Sequence, residues 1–93
     1  MYATVRTYPS GTELADALVS NADAVKSLIS EIDGFKAYYL VRTAGGAVSV
    51  SVYETEAGAD ESTRAAAAWI HENLPDLGGA SPQVSAGEVV IDA

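Results

Sequence analysis

Arg6 is the residue whose type and surroundings most clearly suggest chemistry. It is a cation on a predicted strand of a strongly acidic chain, and tyrosines flank it on the same face of that strand. A fixed cation can stabilise an anionic or enolate-like ligand where water is excluded. The same side chain can instead form a salt bridge across the sheet or a dimer, with Glu88 on the last strand as the leading partner. We favour the salt bridge, and the ligand clamp is the alternative.

Four further side chains are candidates for lining a pocket with Arg6, because their types can hold an aromatic ligand: Tyr38, Tyr53, Trp69 and Asn73. They also have plainer interpretations. A tryptophan at the edge of an apolar helix stripe is typical of a core, and strand tyrosines are typical of a dimer interface. The spacing of these residues matches no catalytic motif, so the sequence leaves the catalytic residues unknown.

His71 is the only histidine, and helical periodicity places it opposite the buried stripe of its helix. We therefore predict a solvent-exposed histidine, with a catalytic or ligand-binding role as the alternative. The chain has no cysteine, and its carboxylates show no metal-ligand spacing. No metal and no cofactor are predicted.

The composition argues against several classes of partner. The 93 residues carry 13 acidic and 5 basic side chains, and the resulting charge of −8 repels phosphate, so we expect neither nucleic acid nor a membrane as partner. No apolar run approaches the roughly 20 residues of a membrane span. The first residues lack the pattern of a signal peptide. We expect a cytoplasmic protein with one domain, residues 1–93.

The elements that position these residues follow the order βαββαβ. Alternation and helical periodicity predict strands over residues 2–8, 35–43, 48–54 and 83–91, and helices over residues 10–33 and 56–73. This order predicts an α+β, ferredoxin-like fold, in which two helices cover one face of a four-stranded antiparallel sheet.

Local signals mark where these elements begin and end. Ser10 and Glu13 have the spacing of a capping box, and Thr55 can cap the second helix. The first helix can kink near Ser20 and Asn21. Gly34 is placed for a left-handed helix end. The glycines at 45–46 favour a hairpin turn, and those at 78–79 favour the exit from the second helix.

Alternation also predicts which residues share a face of the sheet. We expect the more apolar set to face the helices: Val48, Val50, Val52 and Tyr39. The open face would then carry Arg6 with Tyr2, Tyr8, Tyr38, Leu40 and Tyr53. Exposed clusters of aromatic side chains typically mark an interface. We therefore predict a homodimer that packs these open faces together.

Four segments resemble the antibiotic biosynthesis monooxygenase-like, dimeric α+β barrel superfamily: MYATVRTY, SEIDGFKAYYLVRTAGG, VSVSVYETEAGADESTRAAAAWIHENL and VSAGEVVI. The resemblance covers nearly the whole chain, and it is closest to a bacterial subgroup of small members without an assigned activity. It implies a homodimer with barrel-like packing of two sheets. It also implies a cavity between each sheet and its helices or near the dimer seam.

The resemblance also bears on function. The heme-degrading branch pairs an asparagine on the first strand with a tryptophan and a histidine on the second helix. Here Trp69 lies on that helix, but the first strand has no asparagine and His71 follows Trp69 too closely, so no heme is expected. The cofactor-free oxygenase branch uses tryptophan, asparagine, tyrosine and arginine to hold an aromatic polyketide and stabilise its anion.

We therefore predict a small homodimer of unassigned function. The first hypothesis for its function is a cofactor-free oxygenase that acts on an aromatic or polyketide-like molecule. One alternative is a non-catalytic dimer that binds a small molecule or is associated with stress. A third hypothesis is a dimer whose surface serves only protein contacts. The sequence alone leaves open whether the chain is an enzyme.

Overall fold

The computed structural model describes residues 1–9, 12–77 and 82–93. Its strands are β1 (Tyr2–Pro9), β2 (Phe35–Thr43), β3 (Gly46–Tyr53) and β4 (Gln83–Glu88), and its helices are α1 (Thr12–Ser20), α2 (Ala22–Ser30) and α3 (Glu56–Asn73). The strands form one antiparallel sheet in the order β2-β3-β1-β4. This arrangement is the predicted ferredoxin-like α+β fold.

The first predicted helix is two helices, because the chain leaves helical geometry at Asn21 (φ −114°, ψ 29°). Side chains at the break hydrogen-bond to the backbone of the preceding turn. The Asn21 amide donates to the carbonyl of Ala17 at 2.8 Å, and the Ser20 hydroxyl donates to that of Asp16 at 3.0 Å. Such local bonds compete with regular helix formation, so the break lies where the kink was predicted.

The cap of α3 is confirmed, since the Thr55 hydroxyl accepts a hydrogen bond from the Gly58 backbone N–H at 3.2 Å. Gly34 has the left-handed φ of +82°. Because α2 ends at Ser30, Gly34 belongs to the turn before β2 rather than to the helix end. The predicted capping box of Ser10 and the helix exit at 78–79 lie outside the described residues.

The predicted assignment of the two sheet faces is wrong. The face packed against the helices contains the buried residues Thr4, Arg6, Tyr8, Ser49, Ser51 and Tyr53. Tyr38 and Leu40 of β2 pack against the same core, whereas Tyr39 is 63% exposed. Alternation identifies residues that share a face but does not say which face the helices cover. Hydropathy favoured the valines, yet the helices cover the more polar face, where the hydroxyls of Ser49 and Ser51 accept hydrogen bonds from the buried Arg6.

The other face of the sheet is rich in apolar side chains, and none of the three described helices covers it. We call it the valine face; its members are Ala3, Val5, Ala37, Tyr39, Val41, Val48, Val50 and Val52. Tyr39 and Val41 are among the most exposed large apolar side chains of the chain. No helix in the described part of the chain is long and apolar enough to cross a membrane.

Candidate functional site

Arg6 lies at the centre of the covered face and is 1% exposed. It sits in the middle of β1, directly opposite Ser49 of β3 on one side and Val84 of β4 on the other. Its side chain extends from the sheet to α3, where it meets Ser62 and Thr63. Two strands and a helix therefore hold the guanidinium in place.

Four neutral hydroxyl groups accept hydrogen bonds from the Arg6 guanidinium. Nε donates to Ser49 at 3.0 Å, Nη2 to Ser51 at 2.6 Å, and Nη1 to Ser62 and Thr63 at 3.1 Å each. These bonds use four of the five guanidinium N–H groups. The Ser62 hydroxyl in turn donates to the carbonyl of Ala59 at 2.6 Å. The hydroxyls orient the guanidinium but do not neutralise its charge.

The predicted salt bridge between Arg6 and Glu88 is not formed. Glu88 is exposed and lies opposite Tyr2, four residues from Arg6 along β1, a separation of about 13 Å at the usual rise per strand residue. Within the described residues the ion pairs are formed by Lys36, Arg42 and Arg64, all at the surface. Arg6 thus carries a buried positive charge with no carboxylate partner among the described residues. The prediction failed because two residues on neighbouring strands lie opposite each other only in one register, and the sequence does not reveal that register.

We expect Arg6→Met and Glu88→Gln to have additive effects on stability. Residues this far apart without shared partners show coupling energies within about 0.3–0.5 kcal/mol of zero. The check is a double-mutant cycle of unfolding free energies in urea. A coupling energy well above that range would indicate a direct interaction and contradict the observed register.

Three tyrosines surround the guanidinium. Burial raises the pKa of the phenols of Tyr8, Tyr38 and Tyr53, and the positive charge of Arg6 opposes this rise in each case. Tyr53 donates its hydroxyl proton to the carbonyl of Ile29 at 2.6 Å, so its phenol has a structural role. At neutral pH these phenols are uncharged, and Arg6 is the charged group among the described residues that acts on all three.

The raised tyrosine pKa values predict lower stability at alkaline pH. Above the ordinary value of 10.0 the unfolded chain releases phenol protons that the folded protein still holds. The contribution of these phenols to the free energy of unfolding is therefore expected to be constant up to about pH 10 and to fall above it. Denaturant unfolding across this range measures the effect, and Tyr8→Phe should make the fall shallower. A free energy that rises above pH 10 would contradict the buried state of these phenols.

A cavity of about 290 Å³ opens beside Arg6, between α3 and the β4 edge of the sheet. We call it the Arg6 cavity. Its polar lining comes from Arg6, Tyr8, Thr63 and His71, and its apolar lining from Leu14, Ala67, Ile70, Leu77, Pro82 and Val84. His71 is exposed, as predicted, but it lies on this cavity rather than away from any pocket. The small Ala67 lies between Thr63 and His71 on the same face of α3 and leaves room for a ligand.

A second space, the inner pocket, has a volume of about 20 Å³ and shares Arg6, Tyr8 and Ile70 with the Arg6 cavity. Tyr38 and Trp69 line it. The structure thus places two of the predicted residues in the inner pocket with Arg6. Tyr53 is buried in the core beside Phe35 at a ring-centroid distance of 5.9 Å. Asn73 is exposed on α3, where its amide donates to the carbonyl of Trp69 at 2.9 Å, and it lines neither space.

Sequence reasoning missed the residues that bind the guanidinium. Ser49 and Ser51 alternate on β3 opposite Arg6, and Ser62 and Thr63 lie more than 50 residues from it in the sequence. The one available signal was that two serines alternate with valines in a strand. The described residues contain no group of three or more His, Asp or Glu side chains placed to hold a metal ion.

Chemically, this arrangement can hold a small organic anion. A permanent charge that is 1% exposed and has no carboxylate partner among the described residues attracts negative charge. The apolar walls suit a hydrocarbon or aromatic body. Because at most one guanidinium N–H is left for a ligand, a single anionic oxygen fits better than a carboxylate, which prefers a bidentate contact.

Comparisons with known proteins agree on the fold. No protein-family model matches the chain, and no curated protein does. Among solved structures, a candidate antibiotic biosynthesis monooxygenase from Nitrosomonas europaea is similar with a TM-score of 0.73 and 14% identity, covering 98% of this chain and 100% of its own. A heme degrader from Mycobacterium tuberculosis, solved with two hemes in its active site, has a TM-score of 0.69 and 15% identity over 100% and 99% of the two chains.

Two further structures add a ligand complex and a dimer to this group. A monooxygenase from Streptomyces coelicolor in complex with nanaomycin D has a TM-score of 0.61 and 20% identity over 98% and 91% of the two chains. A protein from an uncultured marine organism, described as a dimeric ferredoxin-like protein, has a TM-score of 0.63 and 12% identity over 99% and 95%. The chain therefore has the fold of the antibiotic biosynthesis monooxygenase-like proteins, as the sequence resemblance predicted.

Proposed function

We propose that this chain is a cofactor-free oxygenase whose substrate is an aromatic phenol or enol that reacts as an anion in the Arg6 cavity. The observation that carries the proposal is the buried Arg6 charge, held by hydroxyls without a carboxylate partner among the described residues and adjoining a cavity of about 290 Å³. The similarity of fold to two proteins described as monooxygenases supports this class of reaction.

In the proposed reaction, His71 accepts a proton from a ring CH₂ group of the substrate, and Arg6 stabilises the resulting enolate oxygen. The Tyr8 phenol, whose pKa is raised by burial, keeps its proton at neutral pH and can donate a second hydrogen bond. Dioxygen then adds to the carbanionic carbon. One oxygen atom becomes a carbonyl at that carbon, and the other leaves as water with the two hydrogens, so the reaction requires no external reductant.

We further propose that the chain forms a homodimer through the valine face. The covered face predicted for this role is occupied by helices, but the face that remains open is apolar and includes Tyr39 at 63% and Val41 at 48% exposure. Apolar surface of this kind favours association. The similar structure described as dimeric supports a second copy as its partner.

The experiment that tests the enzymatic proposal is oxygen uptake by purified protein with a panel of polyphenols that includes one with a ring CH₂ group. Uptake above the protein-free rate is expected for the wild type and is expected to be lost in Arg6→Met. The matched control is Arg64→Met, which removes a surface charge paired with Glu61. Saturable binding of the same compounds without oxygen uptake would contradict catalysis and favour the non-catalytic binding dimer.

The similarity to a heme degrader makes heme the second candidate ligand. We expect no stoichiometric heme binding, because His71 is exposed at the Arg6 cavity while Trp69 lines the inner pocket, so the two do not face one space. Heme titration followed by absorbance tests this. A sharp Soret band that saturates at one heme per subunit and disappears in His71→Ala would prove the expectation wrong.

A further inference from the structure

The inner pocket lies towards β2, whereas the Arg6 cavity lies towards β4, so Arg6 stands between the two spaces. Tyr38 of β2 lines only the inner pocket of these two, and Val84 of β4 lines only the Arg6 cavity. The three residues Arg6, Tyr8 and Ile70 line both spaces. A molecule in the inner pocket is therefore a close neighbour of a ligand in the Arg6 cavity.

The walls of the inner pocket are mostly apolar. They come from α1, α2 and α3 and include Leu28, Ile29, Ala66 and the Trp69 indole. Its volume of about 20 Å³ exceeds the roughly 10–15 Å³ that a single water-sized molecule needs. The pocket therefore holds one very small molecule and is too small for an organic ligand.

Most of the residues that line the pocket present apolar side chains, which suit a neutral diatomic gas that needs no hydrogen bonds. A buried water normally makes two to four hydrogen bonds, about three on average. Tyr8 and Tyr38 also line the pocket, and their hydroxyls can bond to water. Water is therefore the competing occupant that an experiment must distinguish from dioxygen.

We propose that the inner pocket is a binding site for dioxygen, which binds there beside Arg6 before it reacts with the substrate anion. This inference rests on the proposed function and adds the site of the second substrate. In the reaction the substrate anion gives one electron to dioxygen, and the superoxide and substrate radical then combine through a new C–O bond. Arg6 stabilises the negative charge on both sides of this transfer, because it adjoins both spaces.

The test uses dissolved dioxygen itself, whose paramagnetism speeds the relaxation of nearby methyl groups in NMR. In the substrate-free protein, the methyls of Leu28 and Ile29 are expected to relax faster under oxygen pressure than those of Val90 and Ile91, which are 84% and 86% exposed. Ala66→Leu should fill the pocket and remove this excess. Ala68→Leu, on the exposed side of α3, is the matched control and should retain it.

A second variant keeps the test informative if Ala66→Leu does not fold. Leu28→Ala enlarges the pocket and is expected to increase the excess relaxation at Ile29. Equal or weaker relaxation at Ile29 than at the exposed methyls in the wild type would overturn the dioxygen site.

A kinetic experiment follows once a polyphenol that the protein oxygenates has been identified. Ala66→Leu should then raise the KM for dioxygen several-fold and leave the KM for the polyphenol unchanged. An unchanged KM for dioxygen would overturn the use of the inner pocket during catalysis. Relaxation excess without oxygen uptake from any polyphenol would instead contradict the proposed function.

Discussion

Replacing Arg6 with methionine is expected to abolish oxygenation of the aromatic substrate while leaving the protein folded. The side chain is 1% exposed, and its hydrogen-bond partners among the described residues are neutral hydroxyls. Losing one preorganised group that stabilises a developing anion costs about 10²- to 10³-fold in turnover. Stability should change little, because removing a buried charge offsets the loss of its hydrogen bonds.

The measurement pairs turnover with denaturant unfolding of the same samples. We expect the unfolding free energy of Arg6→Met to lie within about 1 kcal/mol of the wild-type value, since replacing buried ionic groups with apolar ones of similar size is often neutral or stabilising. Arg64→Met provides the control for loss of a positive charge at the surface. If Arg6→Met lost several kcal/mol of unfolding free energy but kept normal turnover, Arg6 would be a structural residue and would not stabilise the substrate anion.

Val50→Asp is expected to convert the proposed dimer into a monomer. Val50 lies at the middle of the valine face, where it is directly opposite Val5 on one neighbouring strand and Tyr39 on the other. A carboxylate buried there without a partner is strongly unfavourable, whereas in the monomer it is solvated. The mass in solution should fall from twice the subunit value to the subunit value of 9.6 kDa.

Light scattering at micromolar concentration measures this change. Ala24→Asp, which adds the same charge to an exposed position on α2, should leave the dimer intact. A wild-type mass equal to that of one subunit would contradict the dimer. A Val50→Asp protein that remains dimeric would instead show that another surface forms the interface.

The sequence predicted the elements better than the faces of the sheet. The cap at Thr55 and the break near Asn21 depend on neighbouring residues, and local rules recovered both. The hairpin was recovered only in part, because its turn is formed by Ala44 and Gly45 while Gly46 already begins β3. The face that packs on the helices depends on the whole layer. Hydropathy favoured the valines of β3 for the core, but the helices cover the serines, whose hydroxyls bind the guanidinium.

The candidate site was recovered in part for the same reason. Arg6 was identified because it is a single cation among tyrosines, and a charged strand residue is a candidate whichever face of the sheet it lies on. The serine and threonine hydroxyls that bind it were not identified, because such a hydroxyl becomes a candidate ligand only when the residue that faces it is known. Ser62 is 56 residues from Arg6 in the chain. The cavity, likewise, is formed by side chains from four different elements and the segments that follow them.

The most direct test of the account is the ionisation of a phenol bound in the Arg6 cavity. A nitrophenol probe serves, since its phenolate absorbs visible light and its neutral form does not. Binding to the wild type is expected to lower the pKa of the probe below its value in solution, because the Arg6 charge favours the anion. Arg6→Met is expected to abolish this shift. A probe that binds in its neutral form, or one whose pKa is lowered equally in Arg6→Met, would contradict the proposed role of Arg6.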